Sequence, residues 1–504
     1  MEYHLTKRQL PQPEYALDSV TEQPVDVDLT LPDYCPDIER ILCCNLIPKI
    51  RMHNLSGDRL NVEGDSVTRV IYTDSDGVPR AYEYATPFSA SLPLRDGLTD
   101  CAVTVDAKPE YLNCRALSPR KLSLHGAFSL YAKVVCAGDL SYCGYEGEDD
   151  DLQVKQETVS AAALRGLCSE SFSVQEDISA DAAGTLLSYR VSARITELKA
   201  IHNKIMLSAE LKAEILTLGA ENRELKCMSY SIPVSRVVDC EGVDEDSVID
   251  GSLTVLGSDL RLSDDALDGS ATLNLDAKLQ FTAYCYHEET LELMTDAFST
   301  LRDVRLRTSP TSCCAGIESR VLTDIGKATV SVEDGIGKVI DVHAERLNAA
   351  ANVSAGSIIL SSKLIAVILY ENSEGELRCV ERDASFMTRP EMNGCDAVER
   401  LNASVDSLSY RLTDDHTLEL RAELTYRLTC CRRMSCTAVS GVTADEDAPE
   451  RENDSAVILY YADEGDTVWN ISKRFCSRPQ EVAAENGIEG EIVPAGTLLL
   501  IPTA

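Results

Sequence analysis

The chain carries the same strand–turn–strand pattern three times, and this repetition limits its possible folds more than any other feature. The first copy has a long β-prone stretch over 60–72, the second over 205–217 and the third over 358–370. Each stretch is followed by a polar turn and a further β-prone segment, which is typical of a β-hairpin. Such a chain favours tandem copies of one β-domain.

A second block of sequence recurs with the same spacing. Leu122, Leu273 and Leu418 occupy equivalent places in it, at intervals of about 150 residues, and the hairpins give the same period. A period of this length is too long for a solenoid repeat and fits a domain. The two anchors therefore indicate three domains in a row.

Apolar and polar residues alternate within this second block. In the third copy Leu418, Leu420, Ala422 and Leu424 are spaced two apart. Period two with one polar face predicts a half-buried antiparallel sheet. We therefore predict a mainly β protein with three tandem antiparallel β-sandwich-like domains. The spacing of apolar residues over 36–44 predicts one short helix in the first copy.

The last fifty residues predict a different, α+β unit. Residues 457–462 are an apolar, β-prone run, and 498–501 suit a short strand that stops at a proline. Between them, 468–475 have apolar residues at helical spacing, and 479–486 begin with a proline that suits a first helical turn. The predicted order is strand, helix, helix, strand.

This C-terminal segment resembles a LysM domain, a small βααβ module that binds polymers containing N-acetylglucosamine. The resemblance rests on Gly465-Asp466-Thr467, Asn486-Gly487-Ile488 and Ile501-Pro502. It implies a shallow groove between two loops, in which exposed backbone groups pair with the acetamido group of the sugar. A groove of this kind binds either a glycan or a protein. Carried over by position, the groove consists of Asp463, Glu464, Gly465, Asp466, Thr467, Asn486, Gly487 and Ile488.

Four single residues of this segment carry expectations of their own. Asp466 is well placed to cap the first helix, and Trp469, the only tryptophan in the chain, is expected to be the main core anchor. Cys476 stands where a glycine commonly ends the first helix of a LysM domain, and Ala462 replaces a common valine. These two departures keep the protein-binding alternative open.

The first copy opens with a second motif, Leu31-Pro32-Asp33-Tyr34-Cys35-Pro36-Asp37-Ile38, with Ile41 following. This motif resembles the opening of the SPOCS domain found in spore-coat assembly proteins. The second and third copies lack its Pro-Asp-Ile signature. Together with a C-terminal LysM domain, the three copies are similar to the SipL-like family of spore-coat morphogenetic proteins.

The resemblance to that family implies a non-catalytic adaptor or scaffold in spore coat assembly. Such a protein works in the mother-cell cytoplasm at the forespore surface and docks on a SpoIVA-type coat ATPase through the LysM and possibly the β-domains. The alternative is a protein that binds peptidoglycan or N-acetylglucosamine oligomers through the LysM groove.

The repeats and the changes in composition also predict the boundaries between the parts of the chain. A segment with six acids, one arginine and one proline precedes the C-terminal unit, and we predict it to be a flexible tether that lets this unit search independently. The predicted parts are an N-terminal arm at 1–24, β-domains at 25–150, 151–296 and 297–439, the acidic linker at 440–455 and the LysM domain at 456–504.

Composition excludes several classes of partner. The net charge of −36 argues against nucleic acid and against an anionic membrane surface, since both attract cations. The N-terminus shows no secretory signal, and the most apolar stretch, 358–370, is too short to span a bilayer. We therefore expect a cytoplasmic protein whose nineteen cysteines are reduced, with late oxidative cross-linking as the alternative.

No motif predicts an enzyme. His287-Glu288 begins like a zinc-protease helix, but the residue four after His287 is Leu291, so the second histidine ligand is missing. Residues 335–338 lack the spacing of a phosphate-binding loop, and Asp244-Glu245-Asp246 lack the glycine and final glutamate of a calcium loop. We expect no catalytic residues, no cofactor and no metal.

Overall fold

The computed structural model of the protein describes residues 2–95, 98–147, 149–180, 184–219, 223–263, 271–354, 357–392, 394–444, 451 and 457–502. Strands make up most of the described chain, as the alternation of apolar residues predicts. They fall into three sets of six, followed by a small C-terminal unit.

The first strand set contains β1 (Thr6–Thr30), β2 (Arg40–Ser56), β3 (Arg59–Thr73), β4 (Pro79–Pro93), β5 (Cys101–Ser118) and β6 (Lys121–Gly144). The second contains β7 (Leu152–Ala180), β8 (Gly184–Ile201), β9 (Lys204–Gly219), β10 (Leu225–Asp239), β11 (Val248–Ser263) and β12 (Ala271–Ser299). The third contains β13 (Val304–Ser331), β14 (Ile336–Ser354), β15 (Ser357–Asn372), β16 (Leu377–Thr388), β17 (Ala397–Asp414) and β18 (Thr417–Ala444).

Each strand set folds into two three-stranded antiparallel sheets with the same order. In the first set the sheets are β2-β3-β4 and β1-β6-β5, and the other two sets repeat this pairing. The inner faces of the two sheets pack together: in the second set Leu207 and Leu211 of β9 share one core with Leu275 and Leu279 of β12. Each set is therefore a two-layer sandwich, with a polar outer face that follows from the period-two pattern.

The predicted alternation of the third copy is confirmed. Leu418, Leu420, Ala422 and Leu424 of β18 are all fully buried. The residues that lie between them in the sequence point to the other face, because successive strand residues alternate sides.

The helix predicted over 36–44 is wrong. The backbone N–H of Cys35 donates to the carbonyl of Pro32 (2.9 Å) and closes a turn, and Ile38 donates to the carbonyl of Pro119 (2.8 Å). Arg40 then begins β2. These donors are thus used by a turn and by another strand connection, and they do not form a helical i→i−4 ladder. Cys35 and Ile38 are buried at one end of the sandwich instead.

Residues expected to form an N-terminal arm, 1–24, are mostly part of β1. This strand pairs with β6 from Thr6 to Thr30, and Leu10 on it is fully buried. Its prolines at 11, 13 and 24 hid the strand from pattern analysis, and they are tolerated because β1 is an edge strand of its sheet.

The three strand sets pack on one another. One shared hydrophobic core contains Leu10 and Tyr142 of the first set, Ala163 and Leu291 of the second, and Cys313 of the third. The chain start also reaches the third set, since the backbone N–H of Tyr3 donates to the carbonyl of Val442 (3.1 Å). The sets therefore form one closed body, which we call the strand body.

Equivalent strands from the three sets surround a central cavity in this body. Its volume is about 810 Å³, and β2, β8 and β14 all contribute to its wall. The side chains that line it include Asn45, Arg190 and His343.

The C-terminal unit contains β19 (Val457–Tyr461), α1 (Val468–Phe475), α2 (Pro479–Asn486) and β20 (Leu498–Pro502). This order of elements matches the prediction. β19 and β20 pair antiparallel, and the helices cover one face of the ribbon, where Ile471, Val482 and Leu499 are buried. Neither described helix is long and apolar enough to cross a membrane.

Two further expectations meet the structure only in part. Of the linker predicted at 440–455, residues 440–444 complete β18, whereas 445–450 and 452–455 lie outside the described residues. Between them, the backbone N–H of Arg451 donates to the carbonyl of Leu301 (2.8 Å). Cys101 and Cys136, which face each other on β5 and β6, form a disulfide, contrary to the expectation that every cysteine is reduced. The other cysteines are free thiols.

Candidate functional site

The first predicted loop, residues 463–467, is a tight turn held by a carboxylate. Oδ2 of Asp466 accepts from the backbone N–H of Asp463 and from the hydroxyl of Tyr460, both at 2.8 Å. Gly465 has a φ of +91°, a conformation that favours glycine. The side chain of Asp466 is therefore committed to the shape of the loop.

Thr467, not Asp466, caps the first helix. Its hydroxyl accepts from the backbone N–H of Asn470 (3.1 Å), which satisfies one of the free donors of α1. The expectation that Asp466 fills this role is wrong, because its carboxylate is turned back towards Asp463 and Tyr460.

The second predicted loop begins at the end of α2, and Asn486 holds it to β20. The amide of Asn486 donates to the carbonyl of Leu500 (2.7 Å) and accepts from the N–H of Leu500 (2.7 Å). Gly487 follows with a φ of +61° and ends the helix. Ile488 packs against the core of the unit. Asn486 and Ile488 thus have structural roles at this end of the groove.

The end of the first loop is bonded to residues that the sequence did not single out. The N–H of Val468 donates to the carbonyl of Glu491 (2.8 Å), and Val493 donates to the carbonyl of Asp466 (3.0 Å). Thr467 and Ile492 form a β-bridge. The residues bonded directly to the end of the first loop are therefore 491–493, which follow the second predicted loop in the chain. The sequence feature that could have pointed to these residues is Ile492, an apolar residue in an acidic stretch.

The side chains left open around this groove are mainly acidic. Asp463, Glu464 and Glu491 are exposed, as are Gly465 and Gly487, while Ile492 is 76 % exposed. The hydrogen bond to Asp466, together with the nearby Asp463, raises the pKa of Tyr460 to about 12, so its hydroxyl stays protonated. The groove thus offers backbone groups, one apolar side chain and negative charge.

Trp469 is not the core anchor of the C-terminal unit, contrary to the prediction. The core is formed by Ile471, Val482, Leu499 and neighbouring apolar residues, while Trp469 faces the strand body. Its ring packs against Phe298 of β12, with ring centroids 5.1 Å apart. Trp469 directly follows Val468, which faces the core of the unit, so its indole lies on a different side of α1.

Within the described part of the chain, one group of candidate metal ligands lies on an exposed turn. Asp414, Asp415 and His416 could bring ligand atoms to a common ion, and all three are exposed on the turn between β17 and β18. An exposed acidic turn of this kind is common without an ion, so it adds nothing to the groove.

Comparison with known proteins gives one match. Residues 37–117 and 183–261, about a third of the chain, match the family model described as SipL, SPOCS domain. The matched segments cover the same four strands of the first and second sets, β2–β5 and β8–β11. No curated protein and no solved structure matches the chain. In these two segments the protein is similar to the SPOCS domain of SipL.

Proposed function

We propose that the protein is a non-catalytic adaptor in spore coat assembly. The observation that carries this proposal is the repeated match to the SipL SPOCS domain on equivalent strands of two sets. A motif shared by chance would not fall on the same four strands twice. The third set has the same strand order, which supports a third, more divergent copy.

We further propose that the C-terminal unit is a LysM domain and that its groove binds a SpoIVA-type coat ATPase. The βααβ order and the two glycine-containing loops support the LysM assignment. The acidic rim formed by Asp463 and Glu464 suits a basic patch on a protein partner. The protein would act in the mother-cell cytoplasm at the forespore surface.

The alternative ligand is an N-acetylglucosamine oligomer from peptidoglycan. Two features favour it: glycines at 465 and 487 leave the backbone accessible, and Ile492 offers an exposed apolar contact for a sugar ring. Neither feature depends on the charge of the rim.

Charge reversal on the rim distinguishes the two ligands. Glu464→Lys should weaken binding of the purified full chain to the SpoIVA-type ATPase, because it opposes a basic partner, while chito-oligosaccharide binding should change little. Glu374→Lys, an equal charge change on an exposed turn of the third set, is the matched control. Affinities are measured by surface plasmon resonance and calorimetry.

Three results would decide against parts of this proposal. Equal ATPase binding by wild type and Glu464→Lys would remove the rim from the interface. Saturable chito-oligosaccharide binding without ATPase binding would favour the alternative. Binding of neither ligand would contradict both functions of the groove.

A further inference from the structure

The C-terminal unit lies against the second strand set through a small group of contacts centred on Asp296. Nε1 of Trp469 donates to Oδ2 of Asp296 (2.9 Å), and Nζ of Lys473 lies 2.6 and 2.7 Å from its two carboxylate oxygens. The indole ring also meets the ring of Phe298 edge to face. One carboxylate of the strand body thus holds two side chains of α1.

A β-bulge explains why Asp296 is available for this contact. The register between β12 and β7 shifts between Met294 and Asp296, and the N–H of Ala297 donates to Oδ1 of Asp296 (2.9 Å). A bulge turns a side chain away from its normal alternation and re-aims it. Asp296 is therefore presented outwards, beside Phe298, which is only 4 % exposed when Trp469 packs against it.

A second ion pair joins the same two parts. Lys155 is the partner of Asp296 in the β7–β12 register, and its Nζ lies 2.5 Å from Oε1 of Glu491. Nη2 of Arg478 also donates to the carbonyl of Asp150 (3.3 Å). The contact therefore consists of one aromatic pair surrounded by charged groups.

The charged groups in this contact remain open to solvent. The side chains of Lys473 and Asp296 are 42 % and 26 % exposed, and those of Lys155 and Glu491 are 32 % and 55 % exposed. Ion pairs in such positions are weak and are screened further by salt. A contact built from them can open without unfolding either part.

We propose that this contact is a salt-sensitive latch between a docked and a released C-terminal unit. The docked state covers Trp469 and Phe298 and leaves the groove loops open, since Glu464, Gly465 and Gly487 are exposed. The released state exposes both aromatic rings. Because Thr467 caps α1 two residues before Trp469, docking also fixes the direction in which the groove faces. Arg451 of the linker adds to the docked state, since it pairs with Asp303 and donates to the thiol of Cys476 of the C-terminal unit.

The single tryptophan of the chain makes the latch directly measurable. In the full chain at low salt, Trp469 should emit at short wavelength and resist quenching by acrylamide. Rising sodium chloride should shift the emission to longer wavelength and raise the quenching constant several-fold, and potassium chloride should act alike. Far-ultraviolet circular dichroism over the same range should stay unchanged, which separates release from unfolding.

Variants test which charges hold the latch. Asp296→Ala should show the released signal already at low salt. Asp276→Ala, which removes an exposed carboxylate from the same strand, should behave as wild type. Lys155→Met, which does not touch the indole, should lower the salt concentration at which release occurs. If Asp296→Ala does not fold, Lys155→Met and the wild-type salt titration still decide the question.

Two outcomes would overturn the proposal. Trp469 that stays protected at high salt and in Asp296→Ala would show a permanently fixed unit. Trp469 that is fully accessible in the wild type at low salt would show that the docked state does not form.

Discussion

His343 lies where side chains from all three strand sets meet, at the wall of the central cavity. Its Nδ1 is 2.7 Å from Oδ2 of Asp341, and its Nε2 is 3.7 Å from Oε2 of Glu345. Arg190 of the second set reaches Asp341 (3.3 Å), and Asn45 of the first set donates to Glu345 (3.0 Å). This cluster joins the sets electrostatically, which no sequence pattern indicated because its members are far apart in the chain.

Burial alone would lower the pKa of His343, but the hydrogen bonds to Asp341 and Glu345 outweigh it and raise the pKa above its ordinary value. Burial opposes ionisation of both acids, yet the bond to His343 leaves their pKa values lowered. Glu214 and Cys227 face the same cluster, since Arg190 pairs with Glu214 and the thiol of Cys227 lies 3.2 Å from Asp341.

We expect the free energy of unfolding to fall as the pH rises through the raised pKa of His343. The stabilisation from the protonated imidazole is fully present below about pH 6.5, the ordinary value, and is lost above the raised pKa. The slope should not exceed about 1.4 kcal/mol per pH unit for one proton. Urea unfolding across this range measures it.

His343→Gln should remove that slope, whereas His416→Gln, on an exposed turn, should keep it. An unchanged slope in His343→Gln would mean that the raised pKa belongs to another group.

The connection between β1 and β2 shows what the SPOCS-like opening motif does as an element. Arg120, at the β5–β6 turn, donates to the carbonyls of Leu31 (3.3 Å), Pro32 (2.6 Å) and Cys35 (3.1 Å) and to the carboxylate of Asp37 (2.8 Å). One guanidinium thus organises the whole connection. Such a fork of donors cannot be replaced by an ammonium group.

Arg120→Met should lower the free energy of unfolding by about 1–3 kcal/mol, because several backbone carbonyls lose their donor. Arg120→Lys should recover only a small part of this loss. Arg115→Met on neighbouring β5 is exposed and should be close to neutral. Chemical denaturation of the full chain gives the differences. A neutral Arg120→Met would show that the connection is held by the turn at Cys35 alone.

At the level of elements, the sequence predicted what depends on local pattern. The polar turns that follow the first and third β-prone stretches form as predicted, because Asp74 and Asn372 each accept the backbone N–H two residues further on. The helix predicted over 36–44 does not form. Its apolar spacing also suits a connection whose backbone N–H groups donate to the carbonyls of Pro119 and of Thr73 on β3. The prediction that Trp469 anchors the core of the C-terminal unit is wrong, because its ring packs against Phe298 of the strand body.

The whole molecule differs most from what a tandem repeat suggests. The alternation of apolar residues predicts three sandwiches but carries no sign of a shared core, since residues such as Leu10 and Leu291 alternate in the same way whether or not the sandwiches pack together. The groove was only partly predictable for a related reason. The hydrogen bonds that tie Asn486 to Leu500, and Val468 to Glu491, depend on the folded arrangement of the unit.

The shared core predicts that the strand body unfolds as one unit. Leu291→Ala leaves a cavity beside residues of all three sets and should lower the free energy of unfolding by about 2–5 kcal/mol. Differential scanning calorimetry should show the main transition moving as a whole. Leu117→Ala, at a position that is 58 % exposed, is the control. A separate early transition of the second set would contradict a common core.

The hydrogen bond from Tyr3 to Val442 joins the first residues of the strand body to the last strand of the third set. Tyr3 is synthesised early and Val442 late, so this hydrogen bond can form only near the end of synthesis on the ribosome. The first sandwich can assemble as soon as β6 has emerged, but the strand body cannot close until β18 is complete. Until then the apolar side chains around Leu10 and Leu291 have only some of their neighbours, so the late strands decide when the nascent protein stops exposing them.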